Sequence, residues 1–427
     1  MDAATERRIQ DLLQSAQEAA RAGRGEDVAR ACDQILKISP NHPQALSHLG
    51  MRALQRGDGY TALDVLRRAA ASAPKEPMVQ FNLAVACRMV GDRQGEWDAL
   101  ERALVLDPYF FMALFAKASW LERNGERRAA GRYYKEALKI APPADQQPPE
   151  LKGAIAHAQT LIQANIEDLA AFLSKRVAPA RERFKNDRLS RFDESLDVLA
   201  GKKKVYLNEP LLLHYPRLPA IQYYEREDTP WLPTLEAGTP VIRDELISLL
   251  NEDRADFKPY VAKPPGAPVN QWAELNHSLK WSTYFLWRDG ERKDAACKRC
   301  PKTAEILGNL PMADTPGYAP TAFFSALAPH SHIPAHTGVT NTRLIVHLGL
   351  IVPGNCRFRV GNDTREWEEG KAWVFDDSIE HEAWNDSDDL RVVLIFDVWN
   401  PNLSAAEREM ISAMMAAYRE YYQAPAG

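Results

Sequence analysis

TRLIVHLGLIVP (Thr342–Pro353) and RVVLIFDVW (Arg391–Trp399) are short apolar runs closed by turn residues, and they read as β-strands. Outward from them the same texture recurs in WSTYFLWRDGER, TAFFSALAP, CRFRVGN, REWEEG, KAWVFDD and EHEAWN, with Gly, Asn and Asp between the runs. About eight such strands between Trp281 and Trp399 predict a sandwich or a barrel. Upstream, from about Leu189, prolines, tryptophans and tyrosines crowd the chain, and helical periodicity holds only around 237–252. Downstream, Ser404–Tyr422 reads as a helix opening on a capping serine with Glu407 three residues later.

The histidines concentrate in this region: five of the ten fall between His330 and His381. His336, His347 and His381 sit among alternating apolar strands, as a metal pocket inside a barrel requires. His336 and His381 are 45 residues apart, on or beside different strands. That separation suits a double-stranded β-helix, in which strands distant in sequence converge at one mouth. Two imidazoles with little carboxylate competition favour Fe(II) and leave positions open for an oxidant and a cosubstrate. Arg391 heads its strand, and a guanidinium inside an apolar barrel is costly unless a carboxylate meets it. A dicarboxylate cosubstrate supplies one; an ion pair with a neighbouring aspartate is the alternative. Asp376 and Asp377 read as turn-formers before His381, and His330 and His332 as solvent-facing or loop-structuring residues.

The N-terminal part has a different logic. Pro40, Pro74, Pro108 and Pro142 are each 34 residues apart. In the same phase Gly50, Ala84 and Ala118 mark a small position, Gly57, Gly91 and Gly125 a turn, and Ala69, Ala103 and Ala137 a second small position. Each unit is expected to be two antiparallel helices meeting at the small residue, turned by glycine and stopped by proline. This resembles the tetratricopeptide repeat. Full repeats cover about 41–142, with 3–39 as an imperfect or capping unit. The stacked array implies a concave groove for a protein or peptide; a rigid spacer is the plainer reading. Pro142–Glu150 reads as a linker or capping turn, and 151–187 as helix.

Composition narrows the function classes. A net charge of −5 in 427 residues and a pI of about 6.1 exclude a nucleic-acid binder of the usual basic kind. No apolar stretch reaches the length of a membrane span, and no signal peptide is visible, so the cytoplasm is the expected compartment. Cys297 and Cys300 form a lone CxxC with no second pair to complete a zinc site.

The blocks HTGVTNTRLIVHLGL, WEEGKAWVFDDSIEHEAWN and RVVLIFDVWNP, with WSTYFLWRDGERKDAACKRCPKTAEIL upstream, resemble the aspartyl/asparaginyl β-hydroxylases, which depend on Fe(II) and 2-oxoglutarate. The resemblance covers roughly 200–402. It implies an α+β multidomain chain: a tetratricopeptide solenoid over 1–142, a linker and capping helix over 143–188, and a double-stranded β-helix (jelly-roll, cupin-like) oxygenase domain over 189–427. It further implies that His336 and His381 bind iron, with Gly338 where most related oxygenases carry an aspartate ligand. Arg391 and Ser325 would hold the far carboxylate of 2-oxoglutarate, and His347 the end near the metal. Arg343 matches a family arginine and would meet the substrate, whereas Ile345 stands where another family arginine is found. The implied activity is hydroxylation of the β-carbon of an aspartyl or asparaginyl residue with O2 as oxidant, yielding succinate and CO2. Alternatives are the same chemistry on a small, carrier-bound or lipid substrate, or a non-catalytic scaffold.

Overall fold

A computed structural model describes residues 3–252 and 256–423, and the chain divides into two compact units, Met1–Lys202 and Lys203–Gly427. Unit one is all helix: α1 (Ala3–Arg21), α2 (Gly25–Ile38), α3 (Pro43–Gln55), α4 (Gly59–Ser72), α5 (Pro77–Val90), α6 (Arg93–Leu106), α7 (Phe111–Arg123), α8 (Arg127–Lys139), α9 (Pro149–Arg183) and α10 (Ser190–Ala200). Consecutive helices pair as hairpins and each hairpin packs on the next, which is the solenoid expected from the period. Gly57, Gly91 and Gly125 turn the hairpins with φ of 77°, 80° and 84°, a conformation that costs glycine nothing. Gly23, one period earlier, does the same with φ 68°, so α1 and α2 form a hairpin in phase with the others.

The small positions have a steric cause. A Cβ on Gly50 would sit 2.4 Å from Cγ of Leu66, so glycine lets α3 and α4 close on that leucine. Leu66 is fully buried among Leu46, Leu63, Leu83 and neighbouring alanines. Leu66→Ala is therefore expected to destabilise the solenoid by about 2–5 kcal/mol, read from chemical denaturation followed by helical circular dichroism.

Unit two contains α11 (Leu232–Ala237), α12 (Thr239–Glu252), β1 (Lys258–Pro259), β2 (Trp281–Arg288), β3 (Glu291–Arg292), α13 (Asp294–Arg299), α14 (Pro301–Gly308), β4 (Ala322–Leu327), β5 (Ser331–His336), β6 (Arg343–Ile351), β7 (Cys356–Val360), β8 (Asp363–Glu366), β9 (Ala372–Phe375), β10 (His381–Asn385), β11 (Arg391–Trp399) and α15 (Ala405–Gln423). Among the described residues the strands form a seven-stranded sheet of order β1-β2-β4-β11-β6-β9, with β3 beside β2, and a four-stranded sheet of order β5-β10-β7-β8. The neighbouring strands of both sheets pair antiparallel.

The expected double-stranded β-helix, with its jelly-roll or cupin-like barrel, is corrected here. Among the described residues both sheets are open, and no ladder joins an edge of one to an edge of the other. Period-two patterning decides which face of a strand is buried, but carries no information about whether the outer strands pair, so a barrel and a pair of open sheets look alike in sequence.

That patterning builds the layers. On β11, Val392, Leu394, Phe396 and Val398 face one way and join Leu235, Ile242, Leu246, Cys297 and Leu307 of α11–α14 in one core. The alternate residues Val393 and Ile395 face the other sheet and pack with Ile333, Phe358, Val360 and Ala383. The result is a helical layer, a large sheet and a small sheet, with the candidate site between the two sheets. Cys297 and Cys300 are free and buried in the helix-facing core; burial raises both thiols, Cys300 to about 12. Among the described residues no helix is long and apolar enough to cross a membrane.

Candidate active site

Between the sheets lies a cavity of about 480 Å³ lined by His336, His381, His347, Ser325, Arg343 and Arg391 together with Trp272, Trp281, Phe323, Ile345, Phe358, Phe375 and Asp377. The large sheet supplies Arg343, Ile345 and His347 from alternate positions of β6, Arg391, Ile395 and Asp397 from alternate positions of β11, and Phe323 and Ser325 from β4. The small sheet supplies the other two histidines. His336 ends β5 and His381 begins β10, and the register sets them directly opposite each other. Their ring centroids are 4.1 Å apart.

The hydrogen bonds of these rings settle their tautomers. His336 Nδ1 lies 2.7 Å from the Pro334 carbonyl oxygen and His381 Nδ1 lies 3.0 Å from that of Ile379. A carbonyl only accepts, so each Nδ1 donates and each Nε2 keeps its lone pair. Burial lowers the pKa of both rings, and for His381 the neighbouring His336 adds to the effect. Both are therefore neutral near pH 7, the form that binds a metal. Among the described residues no group of three or more His, Cys, Asp or Glu converges as a metal site. The donor set is thus a pair of imidazoles, which fits a metal that keeps its remaining positions for exchangeable ligands.

Arg391 is 1% exposed and stacks over the Trp367 ring at 4.5 Å. Its Nε has no hydrogen-bond partner, and among the described residues no carboxylate pairs with it. Desolvation lowers its pKa to about 10, which leaves it charged at neutral pH. Ser325, also 1% exposed, accepts a 3.0 Å hydrogen bond from Trp281 Nε1 and so keeps its hydroxyl proton for another acceptor. On the antiparallel ladder Ser325 faces Val393, two residues along from Arg391. A buried unpaired cation beside a hydroxyl donor is a receptor for an anionic group such as a carboxylate. His347 is buried against Phe358 and Phe375, its Nδ1 has no partner, and its pKa is held well below the ordinary value by burial and then by Arg391.

The family profile described as Aspartyl/Asparaginyl beta-hydroxylase matches residues 236–401, the stretch that carries this cavity. The chain is 35% identical over 203 residues to an ornithine lipid ester-linked acyl 2-hydroxylase of Rhizobium tropici, a match spanning 46% of this chain and 67% of that protein. The chain belongs to the aspartyl/asparaginyl β-hydroxylase family. It is also 37% identical over 183 residues to the human aspartyl/asparaginyl beta-hydroxylase, covering 42% of this chain and 22% of that protein. The mouse protein of the same name aligns over 95% of this chain at 27% identity, and the chain spans 56% of its length. The chain thus spans less than two thirds of the length of either of these two relatives.

Within this β-hydroxylase domain, several site features were not anticipated from sequence. Asp376 does form the turn: its Oδ1 accepts from the amide and hydroxyl of Ser378, and its Oδ2 accepts from Asn208. Asp377 instead lines the cavity, with Oδ1 buried and unpartnered, and burial raises its pKa to about 7. It also explains Gly338, since a Cβ at 338 would lie 1.9 Å from Asp377 Oδ2. Arg343 lines the cavity but is already paired with Asp397, and its Nη1 also donates to the Tyr318 carbonyl. His330 and His332 are exposed and engaged with Asp388 and Glu382, and His332 stacks on Trp384. The turn position of Asp377, four residues before His381, was the available signal for its role; nothing local pointed to Asp397 as the partner of Arg343.

Proposed function

We propose that this chain hydroxylates the β-carbon of an aspartyl or asparaginyl residue in a protein or peptide, with Fe(II), 2-oxoglutarate and O2. The carrying observation is the pairing, in one cavity, of two imidazoles with free Nε2 lone pairs and a buried arginine that has no protein counter-charge.

His336 and His381 would be the protein's iron ligands. Arg391 and Ser325 would hold the distal carboxylate of 2-oxoglutarate, and His347 would hydrogen-bond its other end. With Fe(II) held there, the site would have the chemistry to use O2 for oxidative decarboxylation of 2-oxoglutarate, one oxygen atom entering succinate as CO2 leaves and the other entering a substrate C–H bond. The chain's own contribution is positioning and exclusion. The carbonyls of Pro334 and Ile379 orient the imidazoles, Trp367 and Trp281 fix the arginine and serine, and Phe323, Phe358 and Phe375 keep water from the walls. The helical repeats would present the polypeptide substrate.

Arg391→Met should leave the domain folded, because an apolar chain of similar length suits a buried site that lacks a protein counter-ion. It should weaken 2-oxoglutarate binding by on the order of a hundredfold in an anaerobic titration. The activity itself is tested by anaerobic loading with Fe(II) and 2-oxoglutarate, admission of air, and measurement of succinate together with peptides heavier by one oxygen atom. Succinate and oxygenated peptide in a one-to-one ratio are expected. A loaded, folded protein that forms neither across Asp- and Asn-containing libraries contradicts the proposal.

A further inference from the structure

The cavity wall around Arg343 holds a donor and an acceptor that the protein leaves unused. Arg343 opens β6, and its Nη1 serves both the Asp397 carboxylate and the Tyr318 carbonyl, yet its Nε–H has no acceptor. Asp397 is engaged, taking Thr321 N–H at 3.0 Å on Oδ1 and Arg343 on Oδ2. Asp377, more than nine-tenths buried, leaves Oδ1 without a donor. Arg343 and Asp377 both line the cavity, and each acts on the other electrostatically. Buried polar atoms of this kind are costly unless a ligand completes them.

The charges decide which ligand. Of the cavity's cations, Arg343, Arg391 and Lys263, it is Arg343 that stands with the two carboxylates Asp397 and Asp377, the charges that act most strongly on it. Ile345, the next residue of β6 to face the cavity after Arg343, is uncharged. A substrate carboxylate would bring a third acidic group to one guanidinium. A primary carboxamide adds no charge and has both parts the wall lacks: an oxygen to accept and an N–H to donate.

We propose, resting on the aspartyl/asparaginyl reading above, that this cavity selects asparaginyl over aspartyl side chains. Arg343 Nε donates to the amide oxygen, and Asp377 Oδ1 accepts from the amide nitrogen. Asp377 is here a specificity residue rather than a turn-former, and Ile345 withholds the cation that a carboxylate would need.

The test uses the full chain loaded with Fe(II) and 2-oxoglutarate and two peptide libraries with identical random flanks, one with central Asn and one with central Asp. Single-oxygen incorporation is counted in air, and retention of each library on the loaded enzyme is measured under nitrogen. Both readouts should favour Asn by about tenfold or more. Asp377→Asn, which keeps the side-chain volume but removes the charge, should cut that ratio severalfold, and Ile345→Arg should raise Asp turnover relative to Asn. Because the readout is a ratio, a general loss of activity in a variant does not imitate the effect. Equal or better use of the Asp library by the wild type overturns the inference and leaves the functional reading intact. An Asn preference that Asp377→Asn does not change overturns the assignment to Asp377. No oxygen in either library overturns the functional reading, and this inference with it.

Discussion

His381→Ala is expected to abolish 2-oxoglutarate turnover, by about a thousandfold or more, with little change in fold. The ring opens β10 opposite His336, and its side-chain hydrogen bonds go to backbone carbonyls of the preceding turn, Ile379 among them, so alanine leaves the strand pairing intact. What is lost is one of two Nε2 lone pairs, and among the described residues no third His, Cys, Asp or Glu stands ready to replace it. Succinate formation and iron retention should fall together while the thermal unfolding curve moves little. Wild-type turnover in His381→Ala would mean the metal is held elsewhere. His336→Ala is expected to behave the same way, since its Nδ1 is likewise tied to a carbonyl and its Nε2 left free.

The second large effect is at Gly338. The resemblance implies an aspartate ligand at this place in most related oxygenases, so Gly338→Asp looks like a way to complete a three-residue ligand set. The structure predicts the opposite. A Cβ there meets Asp377 Oδ2 at 1.9 Å and Cγ at 2.2 Å, and the Gly338 amide donates to the Asp377 carbonyl at 2.6 Å. The obstruction is a short buried side chain on a hydrogen-bonded turn, not the tip of a flexible one. A new carboxylate would also face Asp377, whose pKa burial already raises to about 7. Overpacking and like charge act together, so Gly338→Asp should destabilise the domain by about 3 kcal/mol or more and lower turnover rather than raise it. Gly338→Ala separates the two causes, since it brings the clash without the charge. Denaturation midpoints of both variants check this; an unshifted midpoint for Gly338→Asp would show that Asp377 moves aside freely.

The parts legible in sequence are those with local causes. The repeat phase was readable because glycine at a left-handed turn and small residues at a helix crossing recur at a fixed interval, and Gly23 shows that the phase starts one unit earlier than the prolines suggest. The strands of the second unit were readable from alternation. α11, α13 and α14 were not, because six to eight residues make too few turns for a helical period to appear. The expected barrel did not materialise because closure depends on edge pairing, which alternation does not encode. At the site, the histidines stood out by their clustering and Arg391 by a charge inside an apolar run. Asp397 lies in the same apolar run as Arg391, but its pairing with Arg343 follows from the β6–β11 register, in which Asp397 sits opposite Ile345 and Arg343 opposite Trp399. That relation exists only once the sheet has formed.

The most direct test of the central claim needs no substrate. Fe(II) and 2-oxoglutarate are added without oxygen to the wild type, His381→Ala and Arg391→Met, and the visible absorption that arises when 2-oxoglutarate chelates iron is followed. The wild type should develop the band at one equivalent of each. His381→Ala should fail to develop it, and Arg391→Met should require far more 2-oxoglutarate. A wild type that shows no band while remaining folded, or a band indifferent to both substitutions, would contradict the assignment of this cavity as an iron and 2-oxoglutarate site.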